Sequence, residues 1–360
     1  MPLEFSIRDD QQHTSQQELE AIFADPGFGK HFTDHMAVAT WTKEEGWHDA
    51  AIDRYSELSF TPGSAVFHYG QEVFEGLKAY RRADGSIWLF RPEANGERLA
   101  RSSQRLALPE LPVADFLTSI TELVKIDRNW VPGGAEQSLY LRPFTIAHED
   151  FLGVRPAHTA AYYVIASPVG GYFTGGVTSV DIWVSLDSAR AGAGGTGAAK
   201  CGGNYAASLL ATRQAQEQGC SQVLFLDAAD RSHIDELGGM NFFVVTAQGQ
   251  LLTPELNGNI LPGITRDSIL RMAPDLGLEP VERGITLDEV LGGIADGTIT
   301  EAFACGTAAV VTPIRSLKVG EQVHSLPQVD SPWSLRIRQN LVDIQYGRIE
   351  DPYGWTVRVC

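Results

Sequence analysis

Apolar positions recur along this chain at two spacings, helical and alternating. The two intermix from end to end, which predicts a mixed α/β or α+β protein. Ser15 to Phe23 has the pattern of a short surface helix. Pro92 stands where a helix can begin, and Leu99 and Leu106 keep helical spacing through Arg91 to Leu108. Pro112 opens a second helix with Phe116, Leu117, Ile120, Leu123 and Val124 on one face. Ser138 to Ala147 alternates and predicts a strand, and Ala161 to Val169 predicts another. Gly170, Gly171, Gly175 and Gly176 then interrupt the pattern. This predicts a small N-terminal domain over 1–170, a glycine-rich linker over 171–180 and a larger domain over 181–360.

The second half opens with an apolar strand, Val180 to Leu186, and a glycine-rich loop, Gly192 to Gly203. Tyr205 to Glu217 reads as a helix. Gln222 to Asp227 and Asn241 to Thr246 read as strands, and Gln248-Gly249 turns the chain back through Leu251 and Leu252. Thr265 to Leu276 is helical, entered from Pro262-Gly263. Thr286 with Glu289 has the spacing of a capping box. Ile299 to Ala304 is a strand leading into Gly306-Thr307-Ala308, and Ser331-Pro332 opens the last amphipathic helix.

Composition narrows the function. The 360 residues suffice for two cores, and 43% hydrophobic residues is ordinary for a globular chain. With 28 Lys+Arg against 45 Asp+Glu, the net charge of −17 disfavours nucleic acid and anionic membranes as partners. Apolar runs are too short for a membrane span. The polar, mixed-charge start resembles neither a secretory signal nor a transit peptide. Cys201, Cys220, Cys305 and Cys360 lack metal-ligand spacing, so no metal site is expected and a reduced, cytoplasmic chain fits best.

The loop Gly192 to Lys200 invites phosphate-binding readings. A Walker loop needs Lys-Ser/Thr directly after its last glycine, and Ala198-Ala199 stand there instead. Gly192, Gly194 and Gly197 do match GxGxxG. A dinucleotide site wants that motif hard against its strand and opening a helix. Here Asp187 to Ala191 intervenes, and Gly202-Gly203 would weaken the helix that follows. A third reading centres on Lys200. Small neighbours let a lysine approach a flat aldehyde closely, where it must be able to lose its proton.

The string Lys200-Cys-Gly-Gly-Asn-Tyr205 resembles the cofactor-lysine motif of branched-chain amino-acid aminotransferases. Six further segments match in order. They are Tyr69 to Tyr80, Phe90-Arg-Pro to Arg105, Ser138 to Pro143, Glu236 to Asn241, Ile260 to Arg266 and Gly306-Thr307-Ala308. The likeness runs from about residue 30 to near the C-terminus. It implies a fold-type IV enzyme of two lobes, with pyridoxal 5′-phosphate at the domain interface, and a homodimer.

The resemblance also implies roles. Lys200 carries the cofactor as a Schiff base and moves a proton between the substrate Cα and the cofactor C4′ carbon. Glu236 faces the pyridine nitrogen, where the alternative is a solvated acid in a polar loop. Tyr205 bonds the ring O3′ oxygen. Arg98 clamps the phosphate, and Arg91, Arg101 and Arg105 are its neighbours on the same stretch. Ile264 and Thr265 offer helix N-terminal donors, and Thr307 adds a hydroxyl. Arg142, sharing a strand face with Tyr140, meets the distal carboxylate of glutamate or 2-oxoglutarate. Tyr69, Phe74 and Tyr172 form the apolar wall, and Ala308 the floor by the α-carboxylate.

The implied reaction moves an amino group between leucine, isoleucine or valine and 2-oxoglutarate by a ping-pong route. Two departures stand out. Some members carry a CxxC redox switch after the Gly-Thr-Ala turn, where this chain has Ala309 and Thr312, and Gly239 replaces a threonine. Rival readings are a D-amino-acid aminotransferase or aminodeoxychorismate lyase of the same fold, and a binding protein that kept the fold.

Overall fold

The computed structural model describes residues 2–8, 13–171, 178–330 and 332–360. The expected wall residue Tyr172 and the helix-opening Ser331 lie outside the described residues. The chain divides into two compact units. The first is Met1–Tyr172 with Ala199–Gly202 and Asp343–Cys360, and the second is Phe173–Ala198 with Gly203–Val342. Two stretches beyond the expected linker therefore cluster with the first unit. Hydrogen bonds explain both: the Lys200 backbone is bound to the backbone of Phe74 and the hydroxyl of Ser102, and Thr356–Arg358 pairs with Ile87–Phe90.

The first unit is built on one largely antiparallel sheet. Its strands lie in the order Ser6–Ile7, Gly46–Arg54, His35–Thr42, Thr159–Val169, Ser138–Ala147, Leu77–Arg81, Ile87–Phe90 and Thr356–Arg358, with Glu72–Phe74 also on Ser138–Ala147. The strand Ser138–Ala147 keeps the expected alternation. Leu139 and Leu141 are buried in the core, while Tyr140, Arg142 and Phe144 are partly exposed between them. The helix Val113–Ile126 covers the core face through Phe116, Ile120, Leu123 and Val124, all fully buried. Each such side chain contributes roughly 1.5–3 kcal/mol. Beside it runs Pro92–Arg105, opened by Pro92 at its first position. Gly96 allows this approach, since a Cβ there would lie 2.9 Å from the Phe116 ring.

The second unit has its own sheet, in the order Ile234–Leu237, Gln222–Leu226, Val180–Ser185, Val310–Val319, Ile299–Gly306, Asn241–Thr246, Gln250–Thr253 and Glu279–Glu282, with Gln322–Ser325 beside Val310–Val319. Parallel and antiparallel pairs mix here, as α/β segments followed by hairpins dictate. Three local expectations need correction. The helix after Lys200 is Gly202–Glu217, three residues longer at its start than Tyr205. Gly202 and Gly203 sit in the first turn, where N–H groups lack intrahelical partners in any case, so glycine costs little. Thr286 does cap Leu287–Asp296, but Glu289 turns to Arg283 instead of closing a capping box. The true capping box is at Ser15 and Glu18, before the helix Gln16–Ala24.

No helix among the described residues is long and apolar enough to cross a membrane. No group of His, Cys, Asp and Glu among them could hold a metal ion. Phe243 and Phe303 face each other across paired strands, fully buried, with rings stacked 5.1 Å apart. Phe243→Ala is expected to cost about 3–5 kcal/mol. Urea unfolding checks this as a lowered midpoint at unchanged slope.

Candidate active site

The first unit gathers Lys200, Arg98, Phe74, Tyr140 and Arg142. Lys200 is tied down through its backbone. Its N–H donates to Ser102 Oγ and its carbonyl accepts from the Phe74 N–H, both at 2.9 Å. Close by along the chain, the Gly202 N–H donates to the Glu72 carboxylate. The Lys200 amine lies 4.8 Å from the centre of the Phe74 ring. Burial, followed by the charge of Arg98, pushes that amine down to about 8, and Glu75 partly opposes the shift.

Arg98 is buried on the helix Pro92–Arg105 and forms a two-point ion pair with the fully buried Glu75. Nε meets Oε1 at 2.7 Å and Nη2 meets Oε2 at 2.9 Å. Asn95 Nδ2 and the Gly76 N–H also donate to Oε2, at 2.6 and 3.1 Å. Burial raises the Glu75 carboxyl, but Arg98, Lys200 and Asn95 together hold it below the ordinary carboxylate range. The neighbouring arginines differ. Arg101 is exposed and pairs with Glu97 at 3.8 Å, while Arg91 caps the helix start with its guanidinium 5.5 Å from the Trp355 ring.

Arg142 and Tyr140 share a strand face as expected. Arg142 Nη2 donates to Tyr140 Oη at 2.9 Å, and the guanidinium lies 4.8 Å from the Phe74 ring centre. Its Nε is buried with no hydrogen-bond partner. Gly76 leaves room for this arrangement, since a Cβ there would stand 2.1 Å from Tyr140 Oη. Tyr69 ends the short helix Ala65–Tyr69, and its hydroxyl donates to the Leu152 carbonyl.

The second unit gathers Glu236, Tyr205, Ile264, Thr265, Thr307 and Ala308. Glu236 is no solvated loop acid. It is 2% exposed in the strand Ile234–Leu237, all four residues of which are buried. Arg190 Nη1 pairs with its Oε1 at 2.8 Å, the Leu261 N–H donates to the same oxygen at 2.9 Å, and Asn241 Nδ2 donates to Oε2 at 3.0 Å. A buried carboxylate requires this degree of saturation. Arg190 also donates to the Asn259 carbonyl at 3.1 Å and lies 6.0 Å from the Tyr205 ring centre.

The glycines before Lys200 serve the fold. Gly194 has φ +75°, and a Cβ on Gly197 would lie 2.2 Å from the Asn259 carbonyl oxygen. Close packing and a left-handed turn therefore account for the GxGxxG spacing. Ile264 and Thr265 are the first two residues of the helix Ile264–Met272. Thr307 and Ala308 form the turn between Ile299–Gly306 and Val310–Val319. Val310 closes it at φ +62°, a strained conformation for a β-branched residue.

A family model described as amino-transferase class IV matches residues 72–317. The chain belongs to the class IV aminotransferases. It is 50% identical over 363 residues to the branched-chain-amino-acid aminotransferase of Mycolicibacterium smegmatis, covering 99% of each chain. It is 44% identical over 334 residues to branched-chain-amino-acid aminotransferase 2 of Bacillus subtilis, covering 92% of each. Among solved structures, the Escherichia coli branched-chain amino acid aminotransferase superposes with a TM-score of 0.73 at 28% identity, over 90% of this chain and 100% of that one. The branched-chain amino acid aminotransferase of Thermobaculum terrenum, in its PLP form, gives 0.70 at 26% identity, over 89% and 98%. The mixed α/β, fold-type IV class read from the motifs is the class of this aminotransferase.

Sequence reasoning left Glu75, Ser102, Arg190 and Asn241 without roles. Glu75 lay inside a quoted motif, but nothing in one sequence shows that it pairs with a helix 23 residues on. Arg190 carried no periodic or motif signal at all.

The depressed Lys200 amine has a thermodynamic consequence. Its folded value near 8 lies below the unfolded 10.5, so between these the unfolded chain binds more protons. Stability of the cofactor-free protein should therefore rise as pH climbs through about 8. Lys200→Met removes the penalty. Melting curves should show it stabilised most at pH ~7, with the advantage fading towards pH ~10. An advantage independent of pH would show that the amine is not strained by burial.

Proposed function

We propose that this aminotransferase transfers the amino group of leucine, isoleucine or valine to 2-oxoglutarate, using pyridoxal 5′-phosphate. The observation that carries the reading is Lys200, a backbone-tethered lysine whose amine is pushed down to about 8. Near neutral pH it keeps a fraction of free base, as an aldehyde-binding and proton-moving lysine must. The names of relatives aligned over nearly the whole chain support the substrate class. The donor set also fits the cofactor, with an amine for the aldehyde, a saturated buried carboxylate for a ring nitrogen and helix-start donors for a phosphate.

When bound, the cofactor supplies an aldehyde and a ring that accepts the electron pair released at the substrate Cα. With the cofactor in place, Lys200 would carry the proton between the substrate Cα and the C4′ carbon on its Nζ. Glu236, fixed by Arg190, Leu261 and Asn241, keeps a proton on the ring nitrogen. Tyr205 holds the O3′ oxygen by its hydroxyl. Arg98, Ile264, Thr265 and Thr307 bind the phosphate. Phe74 and Tyr69 wall the substrate side chain, with Ala308 at the α-carboxylate. Arg142, steadied by Tyr140, takes the distal carboxylate of the glutamate-like substrate.

We further read the enzyme as a cytoplasmic homodimer. All four cysteines are free thiols, which suits a reducing compartment. Phe67, Leu152 and Val154 leave large apolar surface exposed on the first unit, 61%, 64% and 87% respectively, as an interface between copies requires.

Purified, cofactor-loaded protein should absorb near 410–430 nm, roughly where a lysine-linked pyridoxal absorbs, and Lys200→Ala should lose that band. A substrate panel should favour L-leucine over D-alanine; the reverse preference would refute the reading. Arg142→Gln should lower kcat/KM for 2-oxoglutarate by about 10- to 100-fold, the loss of one charge-assisted contact. The leucine half-reaction should change several-fold less, and equal losses would remove Arg142 from this role.

A further inference from the structure

The fully buried Glu75 has no part in the chemistry above, yet donors converge on it from three residues: two from Arg98, one from Asn95 and the Gly76 N–H. Its neighbour Phe74 is hydrogen-bonded to the backbone of Lys200. The strand and the backbone of Lys200 are therefore held together, and the amine itself lies 4.8 Å from the ring centre of Phe74, the residue before Glu75. We propose that Glu75 is a positioning residue that governs the protonation of Lys200 by holding Arg98 in a buried two-point ion pair within electrostatic reach of the amine. The inference rests on Lys200 being the working amine of the proposed reaction.

The charges that face Lys200 within this unit oppose one another. Arg98 and Arg142 disfavour its protonated form, while Glu75 favours it. Glu72 approaches through the Gly202 N–H, and Tyr162, fully buried, feels the Glu75 charge. Arg98 alone would leave the lysine beside an uncompensated cation, driving it further towards the neutral amine. Glu75 offsets that cation, and its fork-shaped contact fixes the plane of the guanidinium through Nε and Nη2. One carboxylate thus orients the phosphate-binding arginine and keeps the lysine within the range where it can both take and give a proton.

Competitive acetylation of the full-length, cofactor-free protein, read at the Lys200 peptide by mass spectrometry across pH, gives the midpoint of the amine without requiring turnover. Glu75→Gln should lower that midpoint by about one unit or more, and Arg98→Gln should raise it by a similar amount. The double variant, with no unpaired buried charge, should fall within about half a unit of wild type, and Glu75→Asp should remain near it. An unchanged midpoint in Glu75→Gln, or identical midpoints in Arg98→Gln and the double variant, overturns the inference. If Glu75→Gln does not fold, that second comparison isolates the same charge. A purely structural Glu75 would shift melting temperature and leave the midpoint in place. Wild-type protein that fails to bind pyridoxal phosphate sinks the proposed function instead, and the midpoints still decide the role of Glu75.

Discussion

Removing a lysine amine from water is costly, and much of the first unit can be understood from how that cost is distributed. Burial and a nearby guanidinium push the amine of Lys200 down to about 8, so that a fraction of it is uncharged near neutral pH. The guanidinium in turn is bound by a carboxylate with no exposure, and that carboxylate is saturated by an amide and a backbone N–H. The guanidinium and the carboxylate are tolerable in the interior because each answers the other, and the carboxylate also offsets the arginine's repulsion of the amine. The same logic recurs in the second unit, where Arg190, Asn241 and a backbone N–H answer Glu236. The two carboxylates are built alike: an arginine, an asparagine and a main-chain donor meet each.

How much of this the residues announced depends on the range of the interaction. The helix Val113–Ile126 and the strand Ser138–Ala147 were legible because burial on one face imprints its period on the chain. The paired strands His35–Thr42 and Gly46–Arg54 were not placed. Their mixed polar residues, with histidines and tryptophans scattered through them, blur the alternation. The residues of the lysine motif could be picked out, and their family resemblance suggested roles. Their partners could not be read, because Glu75 with Arg98 and Arg190 with Glu236 are joined by folding across 23 and 46 residues. The polar look of His233 to Glu236 kept a solvated loop acid open as the alternative for the same reason, since the neighbouring strand Gln222–Leu226 is what shows that Glu236 lies inside.

The glycines teach a related lesson. Between residues 192 and 197 they answer a turn and a close approach to Asn259, although their spacing imitates a nucleotide loop. At Gly76 the missing Cβ is space for a tyrosine hydroxyl that an arginine steadies. A motif written as glycines can therefore record what lies opposite the backbone and say nothing of phosphate.

Val310 carries a different implication. A valine held at positive φ is uncomfortable in isolation, so the hairpin that closes on it must be enforced by the strands on either side. Such a turn has little freedom left to lose. Whatever meets Thr307 finds a turn already ordered, and the entropic penalty of ordering it was settled when the chain first folded.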